Sequence, residues 1–220
     1  AFLQITQTKS KTFQDTTGKK QYVCNNHNAF LSMMEGALTG KTGFTGEAGY
    51  CYVGAVRQGD RTLIVALLAC GWPNNKNYKW ADTKTLVQYG LDQYGYCNYW
   101  EDAMQDQDIR ILEAGKKRTV KDAPAKDGNL YQDGTVNTFL NIDDQDREKR
   151  ILMKKTEAIQ VQIEEKQEIT APIESGDILG TVTILLNGET LDEKPIVSGE
   201  SIQKKNLLWI YRQLWKSYAL

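Results

Sequence analysis

Two short polar-apolar runs open the chain. Lys11-Thr12-Phe13 and Lys20-Gln21-Tyr22-Val23 flank the turn-rich Asp15-Thr16-Thr17-Gly18, which predicts a β-hairpin over residues 9–24. A more apolar hairpin is predicted at 50–57 and 61–69, where Tyr50-Cys51-Tyr52-Val53 and Leu63–Leu68 are joined at Gln58-Gly59-Asp60. Its second strand is apolar on both faces, which places it at the centre of a sheet. The period then becomes helical. Leu86, Val87, Tyr89, Gly90 and Leu91 recur at helical spacing, so a helix is predicted over 81–94, capped by Asp82 or Thr83 and ended by Tyr94-Gly95-Tyr96.

After Glu101 the pattern changes again. Residues 109–197 read as all-β. Ile159, Val161 and Ile163 alternate with Gln160, Gln162 and Glu164, the signature of a half-exposed strand. Thr181–Leu186 and Glu189-Thr190-Leu191 flank Asn187-Gly188, a favoured two-residue hairpin turn. Asp143–Arg150 is a charge run, read as a solvated turn. In the last segment Leu207, Leu208, Ile210, Tyr211, Leu214, Trp215 and Tyr218 fall on one arc of roughly 160°. Lys204, Lys205, Arg212 and Lys216 make this segment basic. An amphipathic, aromatic, basic helix suits a membrane interface, and a helix docked on its own domain has the same pattern. A domain boundary is expected near residues 99–104.

Composition narrows the class. With 27 basic and 28 acidic residues among 220, the net charge of −1 argues against a dedicated nucleic-acid binder. The longest apolar run, Leu63 to Cys70, is eight residues, short of the ~18 needed to span a membrane as a helix. Ala1-Phe2-Leu3-Gln4 lacks the features of a signal peptide. Cys24, Cys51, Cys70 and Cys97 form no C-x-x-C pair, and Cys24-x-x-His27 is half a zinc motif without a second half. No metal site is predicted.

The chemistry-bearing string is Lys41-Thr42-Gly43, which opens a strand directly before the strong hairpin. A K-T-G on an edge strand is one of three motifs of penicillin-binding serine enzymes. Its lysine supplies positive charge for a substrate carboxylate and the catalytic proton network, and its threonine hydroxyl hydrogen-bonds that carboxylate. Its glycine lets substrate lie against the strand backbone.

The surroundings of this string are similar to one family. Met33 through Cys51, which carries Lys41-Thr42-Gly43-Phe44-Thr45 and Ala48-Gly49-Tyr50-Cys51, resembles the G-x-K-T-G-x-T-x-x-A-G-x-C stretch of serine-type D-alanyl-D-alanine carboxypeptidases, the low-molecular-mass penicillin-binding proteins. Asn26-His27-Asn28 resembles the segment that precedes it there, and Ala81–Gly90 the helix that follows. Ala171-Pro172-Ile173-Glu174-Ser175-Gly176 with Gly180 resembles the family's C-terminal β-domain motif, and the tail its membrane anchor. The resemblance implies an α+β fold. Residues 1–101 would be the C-terminal part of a β-lactamase/transpeptidase-like domain, 102–202 a small β-rich domain and 203–220 a membrane-interface helix.

It also implies roles. Lys41 would be the catalytic electrostatic residue, and Thr42, Gly43, Phe44 and Thr45 would contact substrate, with the Phe44 N–H as one oxyanion donor. Lys79 lies where some relatives place an arginine near the substrate carboxylate, and His27 is read as structural. The reaction implied is removal of the terminal D-Ala from peptidoglycan stem peptides through an acyl-serine, with β-lactams as acylating agents and no cofactor. The site of action would be the extracellular face of the bacterial cytoplasmic membrane, reached through residues 204–220.

The family's S-x-x-K and S-x-N motifs precede K-T-G, and here only 40 residues do so. No S-x-N occurs, and the one S-x-x-K string, Ser201-Ile202-Gln203-Lys204, lies on the wrong side and is read as linker. The nucleophile is therefore expected on an N-terminal segment outside this sequence, either preceding it or bound as a separate chain. The alternative is a non-catalytic module of the same family that docks on cell wall or membrane.

Overall fold

A computed structural model of the protein describes residues 1–218; the last two residues of the predicted tail, 219 and 220, lie outside the described residues. The fold is α+β with antiparallel sheets, and the chain divides into two compact units, Ala1–Gly95 and Tyr96–Leu220.

The first unit begins with a short helix α1 (Phe2–Thr6) and the predicted hairpin, β1 (Ser10–Gln14) and β2 (Gln21–Asn25). Asp15 closes its turn by accepting bonds from the backbone N–H groups of Thr17 and Lys19. A one-turn helix α2 (Phe30–Met33) leads to a three-stranded sheet, in which β3 (Ala37–Thr45) and β5 (Arg61–Leu67) flank β4 (Gly49–Gln58). Helix α3 (Tyr78–Gln93) covers one face, where Phe30, Tyr52, Val56, Val65, Trp80, Val87 and Leu91 form the core. Gly90 permits the close approach, because a Cβ there would lie 2.8 Å from Leu63.

Two expectations are corrected here. β5 is an edge strand, not the central one: Val65 faces the core, while Ile64 is 74% and Leu68 80% exposed on the opposite side. The double-faced apolar pattern therefore describes a strand with one face uncovered in this chain. Helix α3 starts at Tyr78, three residues before the predicted 81, with Asn77 at the N-cap position. Thr83 is buried inside the helix, its hydroxyl donating back to the Lys79 carbonyl at 2.6 Å, so it caps nothing.

In the second unit, β6 (Tyr94–Asn98), which begins at the unit boundary, pairs with β9 (Arg150–Lys154). Helices α4 (Tyr99–Ala103) and α5 (Gln107–Ala114) precede a five-stranded sheet of order β10-β11-β12-β8-β7. Its strands are β7 (Lys116–Pro124), β8 (Asp133–Leu140), β10 (Ile159–Glu165), β11 (Ile178–Leu186) and β12 (Glu189–Ser198). Short helix α6 (Asp144–Arg147) lies between β8 and β9. The alternating strand and the Asn187-Gly188 hairpin stand where predicted, as β10 and the β11–β12 turn.

The all-β expectation over 109–197 fails at 109–114, which belong to α5, and at α6. Asp106 caps α5 by accepting from Asp108 N–H at 2.8 Å, Ile109 and Leu112 fill the core, and Gly115 at φ +102° follows it. The charge run is likewise more than a solvated turn. Asp143 caps α6, and Asp146 pairs with Lys149 at 2.5 Å and with Lys194. Those two lysines hold the Asp146 carboxyl below its ordinary range.

This charge cluster closes over the unit's aromatic core. Asp192 Oδ2 accepts from Tyr99 Oη at 3.1 Å and from Trp100 Nε1 at 3.0 Å, and the Trp100 side chain is fully buried. Burial, reinforced by the Asp192 charge, pushes the Tyr99 hydroxyl up to about 12. Asp192→Ala strands the indole N–H without a partner. It is expected to lower the unfolding free energy of this unit by about 1–3 kcal/mol, read as an earlier urea midpoint by tryptophan fluorescence.

Candidate active site

The candidate site is built on β3, whose outer edge is unpaired within the sheet. Its register against β4 sets Lys41 opposite Val53, Thr42 opposite Tyr52, Gly43 opposite Cys51 and Phe44 opposite Tyr50. The Tyr52 ring lies across both strands. A Cβ at Gly40 would meet its hydroxyl at 2.3 Å, and one at Gly54 at 2.5 Å. The same hydroxyl donates to Asn28 Oδ1 at 3.0 Å, which fixes the Asn26–Asn28 segment beside β3. Trp80 of α3 packs edge-on against the ring at 5.0 Å.

Alternation divides the predicted residues between two faces. On the α3 side, Thr42 and Phe44, with the backbone at Gly43, line a cleft of about 510 Å³ together with His27, Tyr50, Lys76, Lys79 and Trp80. The Phe44 and Tyr50 rings lie 4.5 Å apart. Lys79 is buried. Its Nζ donates to the Lys76 carbonyl at 2.5 Å and sits 4.2 Å from the Tyr50 ring centre and 4.8 Å from that of Trp80. Burial lowers its pKa, with Lys76 adding repulsion.

Lys41 is not in this cleft. It is exposed on the opposite face of the sheet, where its Nζ donates to the Thr42 carbonyl at 2.7 Å. That face also carries Val53, Ile64 and Leu68, all at least half exposed. Thr45 accepts the Ala48 N–H at 3.1 Å, which shapes the β3–β4 turn. Trp72 Nε1 braces the same turn by donating to the Gly46 carbonyl at 3.0 Å.

Gly43 differs from Gly40. A Cβ added at 43 would meet nothing within 4 Å. Packing within this chain does not require glycine there, so its bareness serves the strand's free side. Cations, a hydroxyl and an open strand backbone together suit an extended chain end that carries a carboxylate.

His27, read as structural, is exposed on the cleft wall. Asn28 and Lys76 were not singled out as site residues. Asn28 was marked only as part of an Asn-His-Asn string, and Lys76 by nothing in its local pattern. The Ser201-x-x-Lys204 string is not a nucleophile–base pair. Ser201 Oγ accepts the Ser175 N–H at 2.9 Å, while Lys204 pairs with Asp122 at 3.1 Å. Among the described residues no group of three or more His, Cys, Asp or Glu side chains is placed to hold a metal. The four cysteines are free. Cys70 donates to Asp82 and Cys97 to Asp102, each at 2.9 Å. Burial, with the carboxylate adding to it, pushes both thiols up to about 11.

Residues 147–204 match the family described as penicillin-binding protein 5, C-terminal domain. Those residues thus carry the C-terminal-domain sequence of that family. It is 24% identical over 205 residues to D-alanyl-D-alanine carboxypeptidase DacF of Bacillus subtilis, covering 93% of this chain and 47% of that protein. It is 31% identical over 102 residues to D-alanyl-D-alanine carboxypeptidase DacB2 of Mycobacterium tuberculosis, covering 46% of this chain and 28% of that protein. The chain thus spans about half or less of the curated relatives it matches. Among solved structures, the D-alanyl-D-alanine carboxypeptidase DacD from Francisella tularensis is similar over 88% of this chain and 45% of its own, at 21% identity and a TM-score of 0.46.

The two strand glycines separate packing from access. Gly40→Ala drives a methyl into the Tyr52 hydroxyl and is expected to cost about 1–3 kcal/mol. Gly43→Ala is expected to stay within about 0.5 kcal/mol of the parent. Urea unfolding of the two variants checks this, and equal losses would refute the assignment.

Proposed function

We propose that this chain is the C-terminal portion of a serine D-alanyl-D-alanine carboxypeptidase, with β3 as one wall of its active site. The observation that carries the reading is Gly43, a glycine on a free strand edge that the chain's own packing does not require, set between Lys41 and the cation-lined cleft. In this reading Thr42, Gly43, Phe44 and Thr45 bind the D-Ala-D-Ala end of a peptidoglycan stem peptide, and Lys41 supplies the positive field. Lys79 and Lys76 add positive charge near the terminal carboxylate.

The nucleophilic serine and its lysine belong to an N-terminal segment with S-x-x-K and S-x-N motifs. The uncovered apolar face beside Lys41 supports such a segment, because an antiparallel sheet that exposes Val53, Ile64 and Leu68 leaves a patch that folded proteins ordinarily cover. The serine hydroxyl attacks the carbonyl of the penultimate D-Ala, the C–N bond breaks and terminal D-Ala leaves. Water then hydrolyses the ester. The Phe44 N–H and the nucleophile's own N–H stabilise the oxyanion, and losing one such donor costs about 2.7–4 kcal/mol. β-Lactams acylate the same serine.

Helix α7 (Leu207–Tyr218) supports attachment to the outer face of the cytoplasmic membrane, since Leu207, Leu208, Tyr211, Trp215 and Tyr218 are more than half exposed on it.

Intact-mass analysis after incubation with fluorescent penicillin tests the enzyme reading. The complete protein, with its N-terminal segment, is expected to gain one penicilloyl adduct. Lys41→Ala is expected to slow its formation by roughly 10²–10³-fold. An adduct that forms at the parental rate in Lys41→Ala removes Lys41 from the chemistry. No adduct on the complete protein favours the non-catalytic docking module. For the membrane part, Leu214→Asp with Trp215→Asp is expected to abolish sedimentation of the chain with anionic vesicles.

A further inference from the structure

We propose that α7 is a fixed footplate rather than a loose tether, and that a clamp on β7 sets the angle at which the second unit stands on an anionic phospholipid bilayer. This rests on the membrane reading of α7 given above. Three observations carry it.

The first is the root of the helix. The register of β7 against β8 breaks between Val120 and Pro124, and within the break Asp122 takes φ +60°, a left-handed conformation uncommon for a residue other than glycine. Every polar group of Asp122 is engaged. Its N–H donates to Asp133 Oδ1 at 3.1 Å, its carbonyl accepts the Lys205 N–H at 2.7 Å, and its carboxylate pairs with Lys204 at 3.1 Å. Lys205 Nζ turns the other way, donating to the Gln132 carbonyl at 2.8 Å and reaching Asp133 at 3.3 Å. Two of the tail's four basic residues are therefore spent on the protein's own surface.

The second is continuity. Ile202 exchanges backbone hydrogen bonds with Ile173 at 2.9 Å. Asn206 Oδ1 then accepts the Trp209 N–H at 2.8 Å, one residue after the clamp, so no free residue separates the clamped strap from the helix.

The third is the helix's rotation. At about 100° per residue, Trp209, Ile210 and Gln213 share one flank of about 100°. These three are the less exposed residues of α7, and Gln213 lies against Gly128, where a Cβ would come within 2.7 Å of its Oε1. Leu207, Leu208, Tyr211, Leu214, Trp215 and Tyr218 occupy an arc of about 120° that faces away, with Arg212 about 40° and Lys216 about 80° past one edge of it. Those are the two cations the clamp does not use. An apolar arc with cations beyond one edge fits a bilayer with anionic headgroups.

The test is energy transfer on vesicles. A bio-orthogonal fluorophore at position 189, exposed at the start of β12, reports its distance to acceptor lipids in phosphatidylglycerol-containing vesicles. The parent chain is expected to bind with a narrow transfer distribution. Asp122→Asn with Asp133→Asn, in which Asn tolerates the left-handed backbone, is expected to bind within twofold of the parent but with a distribution at least twofold wider. If that variant does not fold, Lys204→Gln with Lys205→Gln removes the same pairs from the strap side and is read instead. A distribution as narrow in the variant as in the parent, or as wide in the parent as in the variant, overturns the clamp. A parent chain that does not bind vesicles overturns the membrane reading, and the clamp with it.

Discussion

The Tyr52 ring, lying flat across two neighbouring strands, is the constraint on which the first unit depends. It needs a glycine on each side, Gly40 on β3 and Gly54 on its own strand, and any side chain at either place would occupy its volume. In return the ring closes one face of the sheet, meets Phe30 and Trp80, and ties its hydroxyl to Asn28. One side chain thereby sets the spacing of β3, the position of α3 and the course of the segment before β3. Those are the three walls of the cleft, so the geometry around Thr42 follows from a packing decision made two positions away along the strand.

The second unit is organised by an analogous device with opposite chemistry. Trp100 is buried, and its indole N–H is satisfied by a carboxylate that is itself held among lysines. The charged run that precedes β9 supplies part of that lid through Asp146 and Lys149. A carboxylate withdrawn from water is tolerable only when paired and hydrogen-bonded, and the partly buried Asp192 has both kinds of partner.

Much of this was legible in the residues. The hairpins, the alternating β10 and the Asn187-Gly188 turn follow from local periodicity and turn chemistry, which act over a few residues. The misreadings are equally physical. Asp106 and Gly115 bracket α5 with ordinary cap residues, but eight residues carry too little periodicity to outweigh the strands that follow. The apolar pattern of β5 reports an environment covered on both faces, and in this chain one face has no cover. At the candidate site the K-T-G string located the strand. Alternation sets Lys41 and Thr42 on opposite faces, but which of the two faces α3 covers is a long-range property, and so the residue that enters the cleft was not legible. Lys76 reaches the cleft through the turn before α3, with no local signature.

Cys70 and Cys97 show what burial beside a carboxylate does to a thiol over time rather than at equilibrium. Disulfide exchange runs through the thiolate. With both thiols pushed up to about 11, the reactive thiolate is a small minority at neutral pH. Burial, with Asp82 and Asp102 adding to it, withholds the ionisation of the two sulfurs. Each unit thus holds one thiol that is slow to exchange, with no cross-link protecting it.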